Sequence, residues 1–215
     1  MQGTLTQNED MDTTTIKSTG TIYICGMRET GKSYLFRVLG KSMPRLAVYD
    51  AATYQHGDLG KVVNTPEELD AWLTQNSNGI VVCQPRKGDA KTFDLFCGVC
   101  LKHGNLMLAV EEIGNYMDSF SCPENADIII RTGRNMGIGI MGINQRPARI
   151  WLNFIALVEH WFVFRTQLDD DVSFLCKYLG KQREKMIKEL PDRNFYYMDK
   201  RMRVTRCNPL KNKGE

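Results

Sequence analysis

Eight residues, Gly26-Met27-Arg28-Glu29-Thr30-Gly31-Lys32-Ser33, constrain this chain more than any other stretch. They match G-x-x-x-x-G-K-[ST], and they follow an apolar run, Thr21 to Cys25, and open an amphipathic one, Lys32 to Leu39. A strand, a glycine-rich loop and a helix N-terminus in that order cradle a phosphate. The glycines let backbone amides point inward, and the helix terminus adds positive potential. Lys32 neutralises β- and γ-phosphate charge, and Ser33 is placed to ligate Mg²⁺. All eight positions, Gly26 to Ser33, are therefore read as the nucleotide-binding loop. The competing reading is a glycine-rich turn with a surface lysine, which the flanking strand and helix pattern disfavours.

Short apolar runs alternate with amphipathic ones along the rest of the chain. Leu46 to Tyr49, Gly79 to Cys83, Leu106 to Val110, Gly137 to Ile143, His160 to Arg165 and Phe195 to Met198 read as strands. Pro66 to Thr74, Thr92 to Lys102, Asn125 to Arg134, Asp169 to Leu179 and Gln182 to Leu190 read as helices. Such alternation means βαβ units, and so an α/β fold with a mainly parallel sheet flanked by helices. With 215 residues, 42% of them hydrophobic, the chain can bury a single sizeable core. The expected organisation is a flexible or strand-like lead-in over 1–19, a P-loop domain over 20–199 and a basic, loosely held tail over 200–215.

Net charge is only +3, too small to argue by itself for nucleic acid or an anionic membrane. The excess lies late: from Lys181 to Glu215 there are eleven basic residues against five acidic. Seven scattered cysteines and a polar N-terminus without the apolar run of a signal peptide point to a reducing cytoplasm. No apolar run approaches the ~20 residues of a membrane-spanning helix.

A phosphate loop alone does not separate a kinase from a hydrolase. The strand Leu106 to Val110 runs straight into Glu111 and Glu112, bringing two carboxylates to the sheet edge where ligands bind in open α/β folds. One can hold a metal's water shell and the other can deprotonate an attacking water. A solvated acidic loop is the alternative. The strand Gly137 to Ile143 delivers Asn144-Gln145-Arg146-Pro147, and Gln145 can position water beside a γ-phosphate without titrating. Arg131 and Arg134 lie just before that strand. Either could reach a nucleotide held by an adjacent subunit, or be a surface residue paired with an acid.

Taken together, CGMRETGKS, NLMLAVEEIG and RTGRNMGIGIMGINQRP resemble the FtsK-HerA superfamily of P-loop ATPases, over roughly Thr21 to Tyr197. A domain of this size looks most like the genome-packaging ATPases of tailless icosahedral viruses with an internal membrane. The resemblance implies a RecA-like additional-strand P-loop NTPase fold and ATP hydrolysis, with ATP and Mg²⁺ as ligands. It further implies a homo-oligomeric ring, pentamer or hexamer, around double-stranded DNA, with capsid or membrane-vertex proteins as partners. The implied location is the host cytoplasm and the virion's packaging vertex. Carried across, Lys32 and Ser33 bind phosphate and metal, Glu111 supports Mg²⁺, and Glu112 is the catalytic base. Gln145 senses the γ-phosphate, and Arg134 is the trans-acting finger. The superfamily often has Asp where Glu111 stands.

Other functions compete with the packaging motor. A cellular HerA-like DNA translocase would share every motif, a small P-loop kinase would need an acceptor pocket and an arginine-rich lid, and an export ATPase would usually carry a membrane anchor. Gln84-Pro85-Arg86-Lys87-Gly88-Asp89-Ala90-Lys91 is a basic loop that could touch DNA phosphates or simply be solvated. Cys97, Cys100 and His103 imitate a metal half-site, but their helical setting reads better as buried cysteines.

Overall fold

The computed structural model describes residues 3–4 and 15–209. Two short strands, β1 (Gly3–Thr4) and β2 (Thr15–Ile16), pair antiparallel ahead of the main body. There follow β3 (Thr21–Cys25), α1 (Lys32–Lys41), β4 (Arg45–Tyr49), β5 (Lys61–Val63), α2 (Pro66–Gln75), β6 (Gly79–Cys83) and α3 (Ala90–His103). Next come β7 (Leu106–Val110), α4 (Glu124–Thr132), β8 (Ile138–Asn144), α5 (Leu152–Ala156), β9 (His160–Val163) and α6 (Asp169–Leu179). The chain closes with α7 (Glu184–Lys188), β10 (Phe195–Met198) and β11 (Val204–Cys207).

Nine strands form one sheet in the order β11-β10-β9-β3-β8-β7-β4-β6-β5. β3 to β9 run parallel, while β10 and β11 are antiparallel additions at one edge. The central strands are buried on both faces, which is why β7 reads as the uninterrupted apolar run LMLAV. Alternate residues feed two cores. Tyr23, Ala47 and Tyr49 face the core built by α2 to α7, whereas Ile22, Ile24, Leu46 and Val48 meet Leu35, Phe36 and Leu39 of α1. Helix starts are set by capping residues: Thr65 accepts from the Glu68 amide ahead of Pro66 in α2, and Asp89 accepts from the Thr92 amide in α3.

The register decides where chemistry can happen. β3 lies between β8 and β9, and β8 lies beside β7, with Cys25 opposite Asn144 and Val110 opposite Gly142. The C-terminal ends of β3, β8 and β7 therefore stand side by side, and the phosphate loop, Gln145 and the two glutamates all emerge on that edge.

Several elements depart from the sequence reading. β5 has three residues and α5 five, both too short to show a period. The tail expected to be loosely held from Lys200 instead contributes β11, paired with β10 from Phe195↔Cys207 to Met198↔Val204. Asp199 makes that hairpin: its carboxylate accepts from the Arg201 and Arg203 amides and from Arg203 Nε. Of the lead-in, Ile16 is buried in the α1-side core; residues 5–14 lie outside the described residues, as does the tail from 210. The helix expected to reach Arg134 ends at Thr132, and Gly133 to Met136 form a 3₁₀ turn. Among the described residues no helix is long and apolar enough to cross a membrane, and no metal-ligand cluster forms.

Candidate active site

The phosphate loop is shaped by backbone geometry that side chains would obstruct. Gly26 has φ +142°, and a Cβ there would stand 2.6 Å from Phe164 Cβ. Its amide donates to Asn144 O (3.3 Å) and the Met27 amide to Arg165 O (2.9 Å), pinning the loop between β8 and β9. Thr30 Oγ1 and Lys32 Nζ both donate to Met27 O at 2.8 Å, closing the loop on itself. From the far side Arg193, itself at φ +64°, donates its amide to Thr30 O at 2.9 Å. α1 begins at Lys32 without a side-chain cap, and the amides of Glu29 to Ser33 donate to no protein acceptor among the described residues. Five successive free amides at a helix N-terminus are a ready anion site. Lys32 is buried, which pulls its pKa below the ordinary lysine value, and the Glu112 and Glu111 charges oppose that pull.

The two glutamates part company at the end of β7. Glu111 donates its amide to Tyr49 O (3.0 Å) and is buried, its carboxylate beside His56. Glu112 takes a left-handed backbone, φ 50°, and its half-buried side chain lines an open cleft of about 380 Å³ together with Arg28, Asn144, Gln145 and Arg146. Gln145 donates its backbone amide to Glu112 Oε2 at 3.2 Å and its side-chain amide to Glu112 Oε1. Gln145 Oε1 in turn accepts from Arg28 Nε of the phosphate loop at 3.0 Å. Loop, expected sensor and expected base thus form one connected row. Behind it, Asp171 of α6 accepts from Arg146 Nε (2.7 Å) and the Ala148 amide (3.0 Å), fixing the segment that carries Gln145.

Arg134 lies elsewhere. It precedes β8, so it sits at the N-terminal edge of the parallel sheet, opposite its own phosphate loop, where it pairs with Glu159 at 3.3 Å and stays 60% exposed. Arg131 pairs with Asp127 at 3.0 Å within α4. Neither joins the site of its own chain. The Cys97 and Cys100 thiols are buried in α3 and raised by burial, and His103 turns to Asp70 at 2.6 Å. In the basic loop Lys87 is paired with Asp89 at 2.6 Å.

The donor set suits a magnesium nucleotide: a hydroxyl at Ser33 and a carboxylate at Glu111 are the hard oxygens this cation takes, and the free amides suit phosphate. The sequence reading missed Arg28 as the link to Gln145, Asp171 as its support, and His56 beside Glu111. All three roles depend on contacts between distant residues, and no local pattern announces them.

No protein-family model matches the chain, and no curated protein matches it. Solved structures do. The genome packaging NTPase B204 from Sulfolobus turreted icosahedral virus 2, in complex with AMPPCP, superposes with a TM-score of 0.77 at 16% identity, over 91% of this chain and 100% of that one. B204 described as the DNA-packaging ATPase from Sulfolobus Turreted Icosahedral Virus gives 0.70 at 18%, over 88% and 97%. VirB4 of Thermoanaerobacter pseudethanolicus gives 0.64 at 9%, over 90% of each chain.

Proposed function

At these identities the likeness establishes the fold, that of a RecA-like P-loop ATPase, and from that premise we propose that the chain is an ATP-hydrolysing motor. It acts as a homo-oligomeric ring that moves double-stranded DNA and packages a viral genome into a preformed capsid. One observation carries the enzymatic part: free loop amides and Lys32 stand on the same sheet edge as the linked Glu112–Gln145 pair. The DNA substrate draws support from the fold shared with B204 and from the sequence resemblance. The capsid and membrane-vertex partners and the location in host cytoplasm and virion rest on that resemblance, while a docking role for the basic tail rests on its charge alone.

The amides of Glu29 to Ser33 hold the β- and γ-phosphates of ATP, and Lys32 neutralises their charge. Magnesium, held by Ser33 and through its water shell by Glu111, supplies further charge neutralisation when bound. Glu112 accepts a proton from a water that attacks the γ-phosphorus in line, and Gln145 holds that water without titrating. The bond to the bridging oxygen breaks, and ADP departs with its new charge held by Lys32 and the loop. Arg134, remote from its own site and exposed, completes the site across the subunit boundary. Between Arg134 and Gln145 the chain holds only the end of the 3₁₀ turn and β8, which leaves no segment for a kinase lid.

Phosphate release from ATP by the purified protein tests this reading. Glu112→Gln is expected to bind ATP and lose about 10²–10⁴-fold in turnover, as a missing general base does. Arg134→Ala is expected to lose about 10³-fold or more, as a missing arginine finger does. Mixing Arg134→Ala with Lys32→Ala restores part of the activity, because a shared interface can then draw each intact group from a different chain. Full activity in Glu112→Gln, or transfer of phosphate to a small acceptor, overturns the reading.

A further inference from the structure

Three buried polar atoms beside the candidate site have no hydrogen-bond partner: His56 Nδ1, His56 Nε2 and Glu111 Oε2. His56 is 1% exposed and Glu111 3%, and Nε2 stands 3.4 Å from Oε2. That is slightly long for a formed hydrogen bond but leaves no room for water between them. Buried polar atoms without partners are unfavourable, so three of them placed together call for a reason.

The fold holds His56 from every side. Its amide donates to Asp50 Oδ2 (2.9 Å), and fully buried Asp50 also accepts from Gln84 Nε2 (3.0 Å) and Thr53 Oγ1 (2.7 Å). Its carbonyl accepts from the Leu59 amide at 2.9 Å. Its ring meets Phe36 edge-on, with centroids 4.6 Å apart. Arg37, the next residue of α1, grips the flanking chain through Gln55 O and the Asp58 carboxylate. Phe36 and Arg37 belong to the helix that the phosphate loop opens. An apolar ring would satisfy the packing against Phe36 equally well. What only a histidine supplies here is a nitrogen facing the Glu111 carboxylate.

We propose that His56 is a positioning residue for Glu111. Its Nε2 fixes one carboxylate oxygen and leaves the other for the magnesium water shell. A glutamate has one more rotatable bond than an aspartate, and this side chain needs a lateral contact to be held in one place. The inference rests on the reading of Glu111 as the residue that supports magnesium.

The test measures ATP affinity with and without Mg²⁺ in the full chain carrying Glu112→Gln, so that binding is read without turnover. His56→Phe keeps the ring against Phe36 and removes both nitrogens. His56→Gln returns a side-chain amide near the position of Nε2. His56→Phe is expected to raise the Mg²⁺ concentration for half-maximal tightening about tenfold or more, the usual effect of losing such a support. Affinity in EDTA stays within about twofold, because the phosphate loop is untouched. His56→Gln restores most of the Mg²⁺ response, and adding His56→Phe to Glu111→Asp changes nothing further, since the shorter side chain no longer reaches the imidazole. If His56→Phe melts before it can be assayed, His56→Leu serves as the apolar variant. An unchanged Mg²⁺ response in the apolar variant, failure of His56→Gln to rescue, or an equal effect on the Glu111→Asp background overturns the inference. Glu111→Ala separates the two levels. If it weakens the Mg²⁺ response while His56→Phe does not, only the inference fails; if neither does, the metal reading of Glu111 fails with it.

Discussion

Replacing Asp171 by asparagine strikes at the support of Gln145 without touching nucleotide. Asp171 is 1% exposed and lies in the first turn of α6, where a carboxylate also meets the positive end of the helix. It accepts from Arg146 Nε at 2.7 Å and from the Ala148 amide at 3.0 Å. A hydrogen bond to a charged group contributes about 1.5–3 kcal/mol, and the lower half of that range applies because the Arg146 side chain is 38% exposed. Asparagine keeps one accepting oxygen but turns an NH₂ toward the other donor, which adds ~1 kcal/mol. The sum is ~2.5–3.3 kcal/mol, and at ~2–4 °C per kcal/mol for a domain of this size the melting temperature falls by about 5–13 °C. Gln145 adjoins Arg146, so ATP turnover falls while ATP affinity holds. Thermal denaturation and phosphate release read both effects. A variant that melts within about 1 °C of the parent and turns over at full rate refutes the reasoning.

Gly26→Ala puts a methyl group 2.6 Å from Phe164 Cβ at φ +142°, so it should abolish ATP binding and lower the melting temperature, read by nucleotide titration and circular dichroism. His160 is buried and bonded to Tyr197 Oη at 2.8 Å; burial lowers its pKa, with Lys200 acting the same way and Glu159 and Asp199 opposing. The unfolded chain therefore binds more protons, and stability should fall as pH drops below the ordinary histidine value of 6.5, a slope that His160→Gln flattens in urea titrations. Burial raises the thiols of Cys207 to about 11 and of Cys100 and Cys122 to about 12, so at pH 8 a thiol reagent should modify these slowly until denaturant is added.

The parts legible in the sequence are those where a residue's neighbours along the chain are also its physical context. β3, β6, β7, β10 and α6 have the expected bounds because a doubly buried parallel strand must be apolar throughout, and a helix covering it must repeat its apolar face. The phosphate loop, Glu111, Glu112 and Gln145 were legible because each ends such a strand, and parallel strands end on one edge. β5 and β11 were not, since short edge strands exist by virtue of a partner strand. His56 sits in an irregular stretch and gains its meaning from Glu111, 55 positions away. Asp171 gains its meaning from Arg146, 25 positions away. For Arg134, the motif order gave its place before β8, and the sheet topology put that place on the edge away from its own phosphate loop.

The most direct test of the motor is displacement of a third strand from linear double-stranded DNA, followed alongside phosphate release. The wild-type protein should displace it with ATP and Mg²⁺, with hydrolysis rising as DNA is added, while Glu112→Gln binds ATP and displaces nothing. Hydrolysis indifferent to DNA, with the third strand left in place, would contradict the account.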